Sequence, residues 1–144
     1  MKYSSLQQCI DDLDKTGQLV RIKEEVDPYL EMAAIHLRIH EANGKAVLFE
    51  NVKGSNYQAV SNLFGTTERS KYIFRNTLES VKKLIELKSN PMAALKQPVK
   101  NISSAFAAIK ALPKKVSSHS FEKIKISDLP LIQCWEKDGG AFVT

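Results

Sequence analysis

With 144 residues, 43% of them hydrophobic, the sequence has enough material for one ordinary domain with a core, together with at most the start of another. Charged residues at 26% break every apolar run well short of the about 20 residues a membrane-spanning helix needs, which excludes an integral helical membrane protein. The net charge of +5 is uneven: residues 69–125 carry 13 Lys/Arg against Glu79, Glu86 and Glu122, so the rest of the chain is acidic.

The opening, Met1 to Ser5 leading into Asp11, Asp12 and Asp14, lacks an apolar secretory core, and the chain is expected in the cytoplasm. Ser5 and Gln8 have the spacing of a capping box, and Leu6, Ile10 and Leu13 recur at helical intervals, which predicts a helix over 5–16 that ends at Gly17. Leu19 to Lys23 then reads as a strand, with Val20 and Ile22 on one side and Arg21 and Lys23 on the other. Asp27-Pro28 predicts a helix start, and the helix should run to about Ala42. Its apolar residues fall on two faces, Leu30, Ala33, Ala34 and Leu37 opposite Met32, Ile35, Ile39 and Ala42, so it should be sandwiched between the sheet and another element.

Asn43-Gly44 ends that helix, and Ala46 to Phe49 reads as a buried strand in a right-handed parallel strand–helix–strand unit. After a turn at Lys53-Gly54-Ser55-Asn56, Tyr57 to Ser61 is expected to form a third strand, hairpinned to the second. Asn62 to Arg69 leaves the sheet and enters a long helix over 69–88, capped by Thr66 or Thr67. Phe74, Leu78, Val81 and Ile85 should be its inward stripe, and Glu79 and Lys83 an exposed i,i+4 pair. Asn90-Pro91, Pro98 and Pro113 divide the following stretch into short helical pieces, a basic linker. Alternation at Lys123-Ile124-Lys125-Ile126, then Leu131 to Trp135 and Ala141 to Thr144, predicts strands, the last lacking a partner after it.

Few residues suggest chemistry. His36 and His40 stand four apart on one helix face, a spacing that can serve a metal, but a third ligand is missing. Glu24-Glu25 and Asp11-Asp12 sit on exposed-looking segments with nothing to raise a pKa, and no serine lies in a nucleophile elbow. Asp138-Gly139-Gly140 is too short for a phosphate cradle and reads as a turn. Cys9 and Cys134, far apart, are read as small buried apolar groups. The residues alone therefore describe an α/β domain with no visible active site.

Three stretches resemble the UbiD decarboxylases: Gly17 to Ile22 with Val26 to Glu31; Val47 to Gly54 followed by the octet Asn62-Leu63-Phe64-Gly65-Thr66-Thr67-Glu68-Arg69; and Asp128 to Thr144. The octet is similar to the family's N-terminal signature, and the last stretch to the entry into its flavin-binding domain. After Arg69 the chain departs from the family's alanine–leucine–glycine step, having Tyr72-Ile73-Phe74. The resemblance implies the N-terminal portion of a non-oxidative decarboxylase in which prenylated FMN forms an adduct with an aromatic or unsaturated acid. The ubiquinone-pathway member acts on 3-polyprenyl-4-hydroxybenzoate. It also implies a divalent metal, manganese, beside the flavin phosphate, and a Glu-Arg-Glu set for proton transfer, all beyond the matched stretch. No catalytic, cofactor-binding or metal residue is thus assigned in this chain, and the fragment alone is expected to be inactive.

The expected architecture is α/β in the α+β sense. Residues 1–88 form an N-terminal domain with a small mixed three-stranded sheet flanked by helices, 89–120 a basic helical linker, and 121–144 the first strands of a truncated flavin-binding domain. Expected partners are the remainder of its own chain and, at full length, further copies of itself, with peripheral contact to anionic membranes through residues 69–125. Sparse aromatics there (Tyr72, Phe74, Phe106, Phe121) argue against nucleic acid. The competing function is a free-standing, non-catalytic binding module.

Overall fold

The structure, a computed structural model, describes residues 3–89 and 123–143. The described residues fall into two compact units: 3–70 with 123–143, and 71–89.

Helix α1 (Leu6–Lys15) is capped by Ser5, whose Oγ accepts from the Gln8 amide at 3.3 Å. The reciprocal bond is displaced by one residue, since Gln8 Oε1 accepts from the Ser4 amide at 2.9 Å. Gly17, at φ +68, turns the chain out of α1 as expected. Strands β1 (Leu19–Val26) and β2 (Ala46–Val52) pair in parallel on either side of α2 (Glu31–Glu41), and β3 (Ala59–Ser61) adds antiparallel to β2. The result is the expected small mixed three-stranded sheet, in the order β1-β2-β3.

The central strand is the most deeply buried element. Val47 and Phe49 point to one face and join Val26, Met32 and Val52 in a core against which Ile22, Ile35, Ile39 and Ile132 pack. Leu48 points the other way, the face on which α1 meets β1, and Cys9, Ile10 and Leu13 of α1 are buried. Both faces of β2 are therefore covered, which is why its sequence is a continuous apolar run rather than an alternation. Val20, on the same side of β1 as the half-buried Ile22, is 42% exposed.

Four expectations about element bounds are corrected. Helix α2 starts at Glu31, not Pro28, because backbone groups of 28–30 are engaged elsewhere: the Gln133 amide donates to Pro28 O at 3.1 Å and the Leu30 amide to Gln133 O at 2.9 Å. Asp27 closes a turn instead, its Oδ1 accepting from the Tyr29 amide at 2.9 Å. The third strand is shorter than expected, pairing only over Ala59–Ser61. The long helix is two, α3 (Thr67–Ile73) and α4 (Leu78–Ser89), and the intervening turn breaks the 3.6-residue phase: Phe74, Val81 and Ile85 lie on the surface rather than inward. Glu79 pairs with Lys82 at 2.9 Å, an i,i+3 contact. Finally, the strand expected over Lys123 to Ile126 does not form: 123–125 are irregular and Ile126–Asp128 is a 3-10 turn, and the strand-like pairing comes later, as the single bridges Tyr29–Gln133 and Ile132–Phe142. The short helical pieces expected between Asn90 and Ala111 lie outside the described residues.

Candidate functional site

The signature octet folds into a polar lock at the exit of the sheet. Asn62 takes a left-handed conformation, φ +58, directly after β3, and its side-chain amide donates to Gly44 O at 3.2 Å and Lys45 O at 3.0 Å. Asparagine tolerates this conformation better than most residues, and here it satisfies the carbonyls that follow α2. Thr66 caps α3, its Oγ1 accepting from the Arg69 amide at 3.2 Å. The Arg69 guanidinium then folds back, donating to Leu63 O at 3.0 Å, Gly44 O at 2.9 Å and Asn62 O at 2.7 Å. Arg69 is only 4% exposed, and burial lowers its pKa from the ordinary arginine value. A Cβ on Gly65 would stand 1.9 Å from Asn62 Oδ1 and 2.9 Å from an Arg69 terminal nitrogen, so any side chain there displaces both groups of the lock. The octet thus ties the end of α2, the end of β3 and the start of α3 together through carbonyl oxygens. Sequence reasoning singled it out without finding this role. The available signal was that Arg69 shares a helical face with Ile73, four residues on and also buried.

Beside the lock, α2, the sheet and residues 132–135 enclose an open cavity of about 520 Å³. Its wall is mostly apolar, with Leu30, Leu37, Phe49, Val60, Ile132 and Trp135 prominent. His36 and Ser61 are the polar exceptions, His36 Nδ1 lying 2.6 Å from Ser61 Oγ. Along α2, the His36 and His40 rings stack with centroids 5.9 Å apart, and His40 Nδ1 lies 3.4 Å from Asn62 Oδ1. The i,i+4 pair is therefore used to link α2 to the end of β3. Among the described residues, no group of three or more His, Cys, Asp or Glu could hold a metal ion.

The remaining candidates are dispersed. Asp11 accepts from Gln7 Nε2 at 2.8 Å, Asp12 takes the Tyr3 hydroxyl, and Glu24 and Glu25 face solvent on β1. Asp138 caps its own turn, accepting from the Gly139 amide at 2.9 Å and the Cys134 amide at 3.3 Å, while Glu136 is exposed. Cys9 is buried and Cys134 half-buried on the cavity wall, with no disulfide between them. Most of the basic segment lies outside the described residues. No helix among the described residues is long and apolar enough to cross a membrane.

Residues 10–88, more than half of the chain, match the family described as the 3-octaprenyl-4-hydroxybenzoate carboxy-lyase N-terminal domain. The chain belongs to this UbiD N-terminal family. An uncharacterized protein of Aquifex aeolicus is 34% identical over 154 residues, which cover 99% of this chain and 32% of the relative. Among solved structures, an evolved dimeric form of the UbiD-class enzyme HmfF from Pelotomaculum thermopropionicum, in complex with prFMN, is 30% identical with a TM-score of 0.50, over 61% of this chain and 20% of that one. Vanillic acid decarboxylase of Sedimentibacter hydroxybenzoicus in its closed form shares the fold over 96% of this chain and 29% of that one, with a TM-score of 0.64 at 24% identity. The chain spans roughly a quarter to a third of the length of the curated relatives it matches.

Proposed function

We propose that this chain is the N-terminal domain of a prenylated-FMN-dependent, non-oxidative decarboxylase acting on an aromatic or unsaturated acid, with 3-polyprenyl-4-hydroxybenzoate in quinone biosynthesis as the substrate the family description favours. The observation that carries this reading is the family match over residues 10–88. The likeness to HmfF, a UbiD-class enzyme in complex with prFMN, supports the flavin. In this reading residues 1–88 are the N-terminal domain, 89–120 a linker and 121–144 the entry into a flavin-binding domain. The complete enzyme is a cytoplasmic homo-oligomer that carries manganese beside the flavin phosphate. Its basic segment contacts anionic membrane surfaces.

The described residues of this chain do not fit the cofactor. A flavin phosphate with its metal needs carboxylate and imidazole ligands grouped together, whereas the two imidazoles here engage Ser61 and Asn62 and no metal-ligand group forms. Decarboxylation likewise needs acid and base groups held near the reacting atoms, and the carboxylates are scattered. In this reading the acid, base and metal-binding groups lie in the remainder of the enzyme's own chain. In the test, the chain alone and the chain supplied with the non-matching two-thirds of the Aquifex aeolicus relative are each incubated with prenylated FMN and aromatic acids. Carbon dioxide release only from the pair is expected. Flavin retained by the chain alone through gel filtration, or a pair that binds flavin and releases nothing from any acid, would overturn the assignment.

A further inference from the structure

We propose that Gln133 and residues 27–31 form a two-state latch on the wall of the cavity. Paired with Gln133, the chain before α2 is held in a strained turn; released, it rewinds into a first helical turn that begins at Pro28. The latch is a property of this segment and stands or falls independently of the decarboxylase reading.

Leu30 carries the strain. It stands at φ +64 and ψ −37, and the Glu31 amide donates back across it to Tyr29 O at 2.7 Å. This is a γ-turn with positive φ, the rare and strained form, at a residue with a branched side chain rather than at glycine. Around it, Asp27 O accepts from the Met32 amide at 3.2 Å, five residues on, where a helix would present the amide four residues on. The turn thus holds one residue too many for a helix, and Leu30 takes up the excess. A backbone strained in this way persists only where its surroundings hold it.

Gln133 supplies the hold. Its amide donates to Pro28 O at 3.1 Å, and its carbonyl accepts from the Leu30 amide at 2.9 Å. A helix starting at Pro28 needs the same two groups, Pro28 O to accept from the Met32 amide and the Leu30 amide to reach the Asp27 cap, so the two states exclude each other. The helical state is already prepared. Asp27 Oδ1 accepts from the Tyr29 amide at 2.9 Å, Glu31 Oε2 accepts from the Asp27 amide at 2.7 Å, and Pro28 takes the first helical position, where a missing N–H is harmless. Gln133 is joined to Tyr29 by an isolated bridge rather than a ladder, so it can let go while the sheet stays folded. The consequence falls on the cavity. Leu30 lines it from one side, and Ile132, Cys134 and Trp135, which flank Gln133, line it from the other, so release moves two of its walls together.

The test follows the whole chain by NMR, with its sole tryptophan, Trp135, replaced by 5-fluorotryptophan to give one fluorine resonance. In the unaltered protein, protection of the Leu30 amide against deuterium exchange should be about 100-fold below that of the Phe49 amide in the central strand, because the latch opens without unfolding the sheet. Leu30→Gly and Leu30→Ala both remove the apolar side chain from the cavity, so the difference between them reads the backbone. Glycine accepts positive φ and disfavours the helix, and should protect the amide of residue 30 about fivefold more than alanine does. Gln133→Pro, which lacks the amide that holds Pro28 O, should move the Cα resonances of Pro28 to Leu30 toward helical values and shift the fluorine resonance of Trp135, with native circular dichroism otherwise. Equal protection of the Leu30 and Phe49 amides, equal protection in the glycine and alanine variants, or a folded Gln133→Pro protein whose Cα and fluorine resonances stay in place would each overturn the latch. Should Gln133→Pro not fold, the comparison of glycine with alanine decides alone.

Discussion

Arg69 concentrates more local consequence than any other described side chain. Its guanidinium reaches three carbonyl oxygens, of which Gly44 O is also served by the Asn62 side-chain amide and Asn62 O by the Gly65 backbone amide at 3.3 Å. Arg69→Ala should destabilise the domain by about 2 kcal/mol, the cost of losing three charge-assisted hydrogen bonds from a buried guanidinium, two of whose acceptors keep a second partner. Arg69→Lys should recover less than half of that, because an ammonium lacks the planar fork; urea unfolding followed by circular dichroism checks both. Gly65→Ala, which must displace Asn62 and Arg69 together, should cost about 2 kcal/mol by the same measurement. At the surface, Lys53 Nζ donates to Asp27 Oδ2 at 2.7 Å. That bond first, and the Tyr29 amide second, hold the Asp27 carboxyl below the usual range. A lowered folded pKa adds stability that is complete above the unfolded value of about 3.9 and is lost as pH falls through the folded value. Lys53→Met should raise the Asp27 pKa in an NMR titration, and the stability gap between the two proteins should close in acid below the folded pKa of both.

At the scale of elements, α2 shows how one helix can hold two unlike faces. Met32 is 2% exposed within the core, whereas Leu37 looks outward. Met32→Ala should cost about 2–4 kcal/mol, and Leu37→Ala less than about 0.5 kcal/mol in this chain alone. Equal losses in thermal or urea unfolding would show that the cavity face is already covered. The start of the same helix records a contest between local and distant partners. Asp27-Pro28 has the chemistry of a helix start, yet Gln133 engages Pro28 O and the Leu30 amide, leaving Leu30 at φ +64 just before the first turn. Deleting residues 123–144 removes that competitor. NMR Cα shifts of Pro28 to Leu30 should then move toward helical values, and unchanged shifts would mean that the turn at Asp27 is self-sufficient.

For the molecule as a whole, the sequence determined what local patterns encode. Continuous apolar residues from Ala46 to Phe49 specified a strand covered on both faces, and helical spacing in Leu6, Ile10 and Leu13 specified α1, whereas the sandwiching expected of α2 is met on one face only, Met32 being buried and Leu37 exposed. Strand–helix–strand order then forced the parallel pair, since a crossover helix joins parallel neighbours. The octet Asn62 to Arg69 was visible as a family mark, but its work was not, because Arg69 acts on carbonyls from Gly44, Asn62 and Leu63 that only the folded chain brings within reach. The late start of α2 and the cavity walled by Trp135 were likewise decided by tertiary structure. In each case a backbone or side chain distant in sequence outweighed a local preference of about 1 kcal/mol. Local chemistry therefore fixed which elements form, and long-range hydrogen bonds and packing fixed where they stop and what they leave open.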